Sequence, residues 1–202
     1  MTESKAGPAR VLGVATSPRL GGNSETLLDA VLDGAREAGA ETTTIRLAEM
    51  NVGGCRECGG CDRTGRCVVQ DDMQGVYGLL SDHNRLVFAT PIYFLNICAQ
   101  GKAMIDRGQA PWVNQVRLKR PFCETPKEQR RGLLVACGGL NARDLFACAE
   151  RCYRSFLTVI DMQYAGGVLV PSVDRIREIN EHATALSEAR EAGVALAGPP
   201  VG

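Results

Sequence analysis

Four cysteines are concentrated in one short, glycine-rich stretch of the chain. Cys55, Cys58, Cys61 and Cys67 follow the pattern C-x2-C-x2-C-x5-C. Zinc sites built from four cysteines usually pair two C-x2-C units across a longer stretch. Three cysteines spaced by three residues can instead surround one face of an iron–sulfur cube, and Gly65 permits the turn that returns the fourth. The pattern favours [4Fe–4S] ligation, with a zinc site and a metal-free loop as the open alternatives.

The other five cysteines lack this spacing, and the total of nine is odd. An odd count without an export signal argues against a disulfide framework. Cys98, Cys148 and Cys152 lie in predicted helices, where we expect small buried hydrophobes. Cys137 lies in a glycine-containing loop and could line a pocket with its backbone.

A polar, glycine-containing turn follows the first predicted strand. Its sequence, TSPRLGGNS, offers the hydroxyls of Ser17 and Ser24, the amide of Asn23 and the charge of Arg19 just before a helix. Convergent donors at a helix N-terminus are what a phosphate group requires. The turn matches neither G-x-x-x-x-G-K-[ST] nor G-x-G-x-x-G. An ordinary strand-to-helix turn capped by Ser24 is the alternative.

Apolar and aromatic residues follow the third predicted strand. The sequence TPIYFLN over 90–96 lies at the carboxyl end of this strand, a position where apolar side chains are poorly placed to pack in the core. Such side chains suit a flat ring ligand whose edge is bound by backbone groups. A hydrophobic lid or a subunit contact is the alternative.

The elements that must position these residues alternate along the chain. Short β-branched runs separated by segments of helical periodicity predict an α/β fold with a parallel sheet. Five strands favour the doubly wound, flavodoxin-like order 2-1-3-4-5, with the cysteine-rich loop 51–70 after the second strand and ligands beyond the carboxyl ends of the strands. Asp71 is placed to cap the next helix. The predicted strands are 10–15, 41–47, 85–90, 132–136 and 164–170, and the predicted helices are 24–38, 72–82, 97–107, 142–160 and 174–197.

Composition limits the classes of function. The 202 residues predict a single domain over 1–202 at roughly 150 residues per domain. Lysine plus arginine number 23, as do aspartate plus glutamate, so bulk charge does not favour nucleic acid. No segment approaches the roughly 18 apolar residues of a membrane helix, and the first residues show no signal peptide. We expect no nucleic-acid or membrane partner and a cytoplasmic location.

The connection 108–131 is long and basic. Loops of this length are usually functional or mobile, and this one could dock an acidic ferredoxin or a dinucleotide phosphate. A solvated loop or an oligomer contact is the alternative. We expect surface or structural roles for His83 and His182, and core packing of Ile176 in the last helix. The basic residues of the connection are Arg117, Lys119, Arg120, Lys127, Arg130 and Arg131.

Taken together, four segments resemble the flavodoxin-like NAD(P)H-dependent FMN reductase superfamily and, within it, the iron–sulfur flavoprotein family. The resemblance covers about residues 9–170. Asp71, Asp72 and Met73, and Ile105-Asp106-Arg107 followed by Trp112, also resemble that family. The four segments are SPRLGGNSE, CRECGGCDRTGRCVVQDDM, TPIYFLNICAQGKAMIDR and ACGG.

The resemblance implies noncovalently bound FMN and a homodimer or homotetramer. It implies that the cysteine loop binds the cluster through Cys55, Cys58, Cys61 and Cys67. No catalytic side chain is implied, and Tyr93 is the one proton donor expected near the ring. The implied FMN contacts are Ser17, Arg19, Asn23 and Ser24 for the phosphate, Pro91, Ile92, Tyr93 and Phe94 for the ribityl chain and ring, and Ala136, Cys137, Gly138 and Gly139 along the ring edge.

Three functions are compatible with these observations. The first is an electron-transfer flavoprotein that exchanges electrons between a ferredoxin-like donor, its cluster and FMN. The second is an NAD(P)H-dependent reductase of FMN or quinones, in which the cysteine loop is structural or binds zinc. The third is a flavin-free scaffold with a zinc knuckle, which the phosphate-binding turn and the TPIYF segment argue against. The four intact cysteines favour the first.

Overall fold

Six strands form the sheet in the computed structural model, which describes residues 8–198. The five long strands run parallel in the order β2-β1-β3-β5-β6, and the two-residue β4 pairs antiparallel with the end of β3. The order of the long strands is the predicted 2-1-3-4-5, so the flavodoxin-like fold is confirmed. The strands are β1 (Arg10–Ala15), β2 (Glu41–Arg46), β3 (Arg85–Tyr93), β4 (Asn96–Ile97), β5 (Arg131–Cys137) and β6 (Gln163–Val170).

Helices cover both faces of the sheet. Alternate strand residues point to opposite faces, so Val87 packs with the layer of α1 and α6, whereas Phe88 packs with the layer of α2, α3 and α5. Burial on both faces explains the continuous apolar runs of the central strands. The helices are α1 (Asn23–Glu37), α2 (Met73–Asp82), α3 (Ala99–Asp106), α4 (Gln109–Trp112), α5 (Ala147–Val159) and α6 (Ala185–Ala197).

Three helix predictions were wrong in extent. The helix predicted from 97 begins at Ala99 because Ile97 pairs with Ile92 in the β3–β4 hairpin. The helix predicted from 142 begins at Ala147, after a turn. The helix predicted over 174–197 is interrupted because Arg177 has a left-handed backbone (φ 62°). As a result Ile176 is 62% exposed and outside the core.

The connection 108–131 is more ordered than predicted. It contains α4, a π-helical turn over Val113–Arg117 and a short 3-10 turn. Arg130 is fully buried and donates to carbonyl oxygens of two neighbouring segments, at Ile160 after α5 and at Leu80 in α2, while its guanidinium lies 5.5 Å from the Phe122 ring. Arg131 donates to the carbonyl oxygen of Leu196 (2.7 Å). These two arginines hold neighbouring segments of the fold together, and docking by the other basic residues of the connection stays a prediction.

Among the helices within residues 8–198, none combines the length and the apolar character that a bilayer span requires. His83 lies with its ring nitrogens 2.8 Å from the Leu79 carbonyl oxygen and 3.1 Å from Thr43 Oγ1. His182 accepts the N–H of Ala185 at the start of α6 (3.2 Å). Both histidines occupy structural positions.

Helices α1 and α6 cross in contact through two glycines. A Cβ at Gly34 would lie 2.0 Å from the Arg190 carbonyl oxygen, and a Cβ at Gly193 would lie 1.9 Å from that of Val31. Because both opposing atoms are backbone, neither helix can yield by a side-chain rotation. The two glycines therefore set the spacing of the α1–α6 pair.

We expect Gly34→Ala to lower the free energy of unfolding by roughly 1–3 kcal/mol, since the added methyl overpacks a backbone contact. Gly78→Ala on the exposed side of α2 is the matched control, because a Cβ there meets nothing within 4 Å. That control should raise stability by about 0.5–1 kcal/mol through helix propensity. Urea unfolding followed by circular dichroism measures both, and a Gly34→Ala protein as stable as the parent would contradict this packing.

Candidate functional site

Ten predicted ligand-binding residues line one cavity at the carboxyl ends of the strands. The turn after β1, the end of β3, the loop after β5 and the segment after β6 all contribute to it. Of the twelve predicted residues, Ala136 is instead buried in the core and Phe94 projects fully into solvent beside the cavity. The predicted residues in the wall are Ser17, Arg19, Asn23, Ser24, Pro91, Ile92, Tyr93, Cys137, Gly138 and Gly139.

The turn after β1 is held in shape by a carboxylate of the helix that follows it. Gly21 has a left-handed backbone (φ 61°), and its N–H donates to Glu25 Oε2 (2.7 Å). Glu25 is buried and also pairs with Arg46. Ser17 Oγ accepts the N–H of Arg19 (3.0 Å). The free N–H groups of the first turn of α1, at the positive end of the helix, can therefore bind an anion.

Asn23 connects this turn to a segment that the sequence did not indicate. Its Nδ2 donates to the Arg175 carbonyl oxygen (2.8 Å), and its Oδ1 accepts the N–H of Ile179 (3.3 Å). The segment after β6 thereby adds Val173, Asp174 and Ile176 to the cavity wall. The sequence analysis missed this segment because its helical periodicity predicted a continuous helix. The loop after β6 is nevertheless expected to border a site at this edge, because β6 lies next to β5 in the sheet.

The end of β3 presents an exposed apolar surface. Phe94 and Leu95 form the turn of the β3–β4 hairpin with left-handed backbones (φ 49° and 62°), a conformation uncommon for residues with side chains. The turn leaves Tyr93 42% and Phe94 fully exposed. The cavity itself is about 80 Å³, smaller than usual ligand pockets. It can hold a phosphate and part of a chain, whereas a flat ring would lie over this exposed surface.

The loop after β5 passes close to its neighbours. A Cβ at Gly139 would lie 3.1 Å from the Asp174 Cβ, and the carbonyl oxygen of Gly138 accepts the N–H of Val173 (3.1 Å). Burial raises the pKa of the Cys137 thiol to about 12. Cys137 is therefore a neutral thiol at pH 7, and it contributes backbone and bulk to the cavity wall.

The four clustered cysteines line a second cavity, of about 240 Å³. Gly65 adopts a left-handed backbone (φ 70°), and a Cβ there would collide with Asn114 of the π-helical turn. The N–H of Glu57 points toward Cys55 Sγ (3.4 Å). Within residues 8–198, no three His, Cys, Asp or Glu side chains stand close enough to hold one metal ion. The thiols share a cavity larger than an ion.

A buried ion pair holds the two ends of the cysteine loop in place. Arg107 and Asp71 form two hydrogen bonds, Nη1 to Oδ2 (2.6 Å) and Nη2 to Oδ1 (3.1 Å), and their side chains are 1% and 6% exposed. Arg107 also donates to the carbonyl oxygen of Gly53 (3.0 Å), before the first cysteine, and approaches that of Val69 (3.5 Å), after the last. Asp71 accepts the N–H of Met73, the first residue of α2 (3.2 Å), but the helix begins one residue later than predicted and Asp72 occupies its N-cap position, so the predicted capping role of Asp71 was wrong.

A second contact holds the middle of the loop. Asn114 Nδ2 donates to the Gly65 carbonyl oxygen (2.9 Å), and Arg117 pairs with Asp62 (2.8 Å). The connection 108–131 thus supports the cysteine loop, a role that no local sequence signal indicated. The two cavities share none of their lining residues in the part of the chain described.

Comparison with known proteins gives the family and the fold. The family model described as NADPH-dependent FMN reductase matches residues 9–168. An iron–sulfur flavoprotein of Archaeoglobus fulgidus is 34% identical over 113 residues, which are 56% of this chain and 51% of the relative. One of Methanosarcina thermophila is 37% identical over 98 residues, 48% of this chain and 51% of the relative. The chain thus spans about half the length of these relatives. These matches confirm the resemblance recognised from the four motifs.

Solved structures agree with the fold. An FMN-dependent NADH-azoreductase of Bacillus anthracis, determined in complex with FMN, superposes with a TM-score of 0.67 at 14% identity, over 94% of this chain and 100% of that one. An NAD(P)H:quinone oxidoreductase of Methanothermobacter marburgensis gives a TM-score of 0.64 at 16% identity, over 95% of this chain and 97% of that one. At these identities the likeness is one of fold.

The ion pair predicts a dependence of stability on pH. The hydrogen bond from Arg107 lowers the pKa of Asp71, so the folded state binds a proton at this carboxylate less readily than the unfolded state. The stabilisation is complete above the unfolded pKa, near 4, and is lost as the pH falls through the lower folded pKa. We expect Asp71→Asn to reduce the free energy of unfolding by roughly 3 kcal/mol at pH 7, and by less below pH 4.

Urea titrations at pH 7 and pH 3 measure this difference. Asp72→Asn is the matched control, because Asp72 is exposed and its oxygen accepts only the N–H of Asn51 (2.7 Å), which an amide oxygen can also do. A deficit for Asp71→Asn that is the same at both pH values would contradict the ion-pair assignment.

Proposed function

Since the chain belongs to the NADPH-dependent FMN reductase family, we propose that it is an oxidoreductase that binds FMN at the strand ends and a [4Fe–4S] cluster in the cysteine loop. The observation that carries this proposal is that all four clustered cysteines line one cavity. The names of the archaeal relatives support the same pairing of flavin and cluster.

The residues of the first cavity fit FMN. The hydroxyl of Ser17, the guanidinium of Arg19 and the first turn of α1 would hold the phosphate, because charge-assisted donors at a helix N-terminus favour an anion. Tyr93 and Phe94 would cover the apolar ring. In the loop after β5, the N–H of Gly138 donates to the Val170 carbonyl oxygen (3.2 Å), so the N–H of Gly139 would face the ring edge, where a donor favours the reduced, anionic flavin.

The donor set of the second cavity fits a cluster. Cys55, Cys58, Cys61 and Cys67 supply four sulfur ligands, and the cavity of about 240 Å³ exceeds the space that one ion needs. When bound, FMN exchanges electrons in pairs and the cluster exchanges them singly. The chain contributes a loop fixed at both ends, which limits the movement of the ligands between redox states.

The second candidate is an NAD(P)H-dependent reductase of FMN or quinones whose cysteine loop is structural or binds zinc. One observation favours it: the loop is already held by Arg107, Asp71 and Asn114, so its conformation does not require a metal. Because the Cys137 thiol is neutral, it would not take part in redox chemistry. The flavin would therefore be the redox group of the first site in both candidate functions.

The exposed basic residues of the connection support docking of an acidic electron donor such as a ferredoxin. Lys119, Arg120 and Lys127 line an open cavity of about 480 Å³ beside the segment that holds the cysteine loop. NAD(P)H is the alternative donor. The apolar surface at Tyr93, Phe94 and Leu95 would be covered in a homodimer or homotetramer.

The visible spectrum of anaerobically purified protein, with iron, sulfide and flavin analysis, tests the proposal. We expect flavin bands, a broad shoulder that dithionite bleaches, and about four iron atoms per chain, as a [4Fe–4S] cluster requires. Cys58→Ser should lose most of the iron and keep its FMN. Cys148 was predicted to be buried, but it is exposed on α5 outside the loop, and Cys148→Ser should keep both. Flavin bands without acid-labile sulfide in the parent protein would select the second candidate.

Charge reversal tests the docking surface. Lys119→Glu with Arg120→Glu should slow reduction by an acidic ferredoxin roughly tenfold at low salt, since electrostatic steering sets such association rates, and the effect should shrink at high salt. Arg151→Glu, an exposed arginine on α5, is the control. Equal rates for the double variant and the parent at low salt would eliminate this surface.

A further inference from the structure

One buried donor in the wall of the cysteine cavity has no acceptor. Arg107 lines this cavity and is 1% exposed. Its two Nη groups are used by Asp71 and by carbonyl oxygens at both ends of the loop. Its Nε has no hydrogen-bond partner within residues 8–198; the same holds for Nε of Arg130 and Arg131, but neither of these lines the cysteine cavity. Buried donors are nearly always satisfied, and an unsatisfied one costs about 1–3 kcal/mol.

The surroundings of the cavity indicate the chemistry of the missing acceptor. The four thiols share the cavity with Arg107 and become anionic sulfur ligands when they bind metal. Glu57, Asp62 and Gln109 also line the cavity, but none of them accepts a hydrogen bond from Arg107, and Asp62 is paired with Arg117. Arg56 and Arg117 also line the cavity, but Arg56 is exposed, and Arg117 is half exposed and paired with Asp62. Arg107 is thus the buried cation of the cavity wall, where its charge is screened far less than that of an exposed residue.

Resting on the proposed function, we propose that Arg107 is a positioning residue for the cluster. Its Nε–H donates to sulfur in the cavity. Its positive charge makes reduction of the cluster more favourable, and the negative charge of Asp71 opposes this effect. N–H donors to sulfur and nearby charge are general determinants of cluster potential. The geometry also explains why arginine is needed, since lysine has one nitrogen and cannot hold Asp71, both loop ends and the cavity together.

The ion pair allows a test by the sign of the effect. Arg107→Gln removes the cation and should shift the cluster's reduction potential to a more negative value. Asp71→Asn removes the opposing carboxylate and should shift it to a more positive value. A purely structural role would weaken the fold in both variants without opposite shifts. The potentials are measured by anaerobic redox titration followed by electron paramagnetic resonance.

Cluster retention is the second readout. Arg107→Lys keeps the positive charge but loses the planar guanidinium with its several N–H donors. Iron should therefore be lost to a chelator roughly 10–100-fold faster, as is typical when a group supporting the ligands is removed. FMN content should not change in any variant. Arg63→Gln is the matched control, because Arg63 is an exposed loop residue outside the cavity wall, and its potential and iron loss should match the parent.

The outcomes separate this inference from the proposed function. If the parent protein holds no cluster, the proposed function and the inference both fail. If the parent holds a cluster and the shifts of Arg107→Gln and Asp71→Asn are absent or of the same sign, the inference alone is overturned. If Arg107→Gln does not fold, a positive shift in Asp71→Asn and faster iron loss in Arg107→Lys are both required, and the absence of either overturns it.

Discussion

The buried pair of Arg107 and Asp71 is the interaction on which the cysteine loop depends. It links the residue after α3 to the residues before α2, and it holds the backbone on both sides of the four cysteines. Two desolvated charges are stable together only when the remaining donors and acceptors are also satisfied. Asp71 meets this condition by accepting the N–H groups of Gly53 and Met73. In Arg107, Nε alone is left free.

The strand-end cavity is built by a different constraint. Parallel strands bring their carboxyl ends to one edge, so turns distant in sequence meet there. Glu25 fixes the turn after β1 from within its own helix, while Asn23 fixes it to the segment near Arg175. The two cavities draw on separate residues. A substitution in one is therefore expected to leave the contents of the other intact, and this independence makes flavin content a useful control for the cysteine loop.

The sequence predicted well those features that depend on residues close together in the chain, and less well those that depend on contacts between distant segments. The five long strands and their order followed from local patterns and from one rule about parallel sheets. Of the twelve ligand-binding residues that the family resemblance implied, ten lie in the cavity wall. The errors lie where a distant contact overrides local periodicity. Ile97 pairs with β3 although it continues a helical pattern, and Ile176 is exposed because the backbone turns at Arg177. Arg130 is a charged residue of a type usually found at the surface, but it is buried among carbonyl groups.

The sequence by itself indicated the family through the resemblance of four motifs, and it determined the fold and the grouping of four cysteines in one loop, because periodicity, strand count and cysteine spacing are local properties of the chain. Only the tertiary structure decided which groups surround those cysteines. Arg107 and Asn114 reach the loop from segments far along the chain, and no sequence spacing encodes such contacts. The reason is physical: burial, charge pairing and the satisfaction of each donor are fixed by the packing of all the elements together.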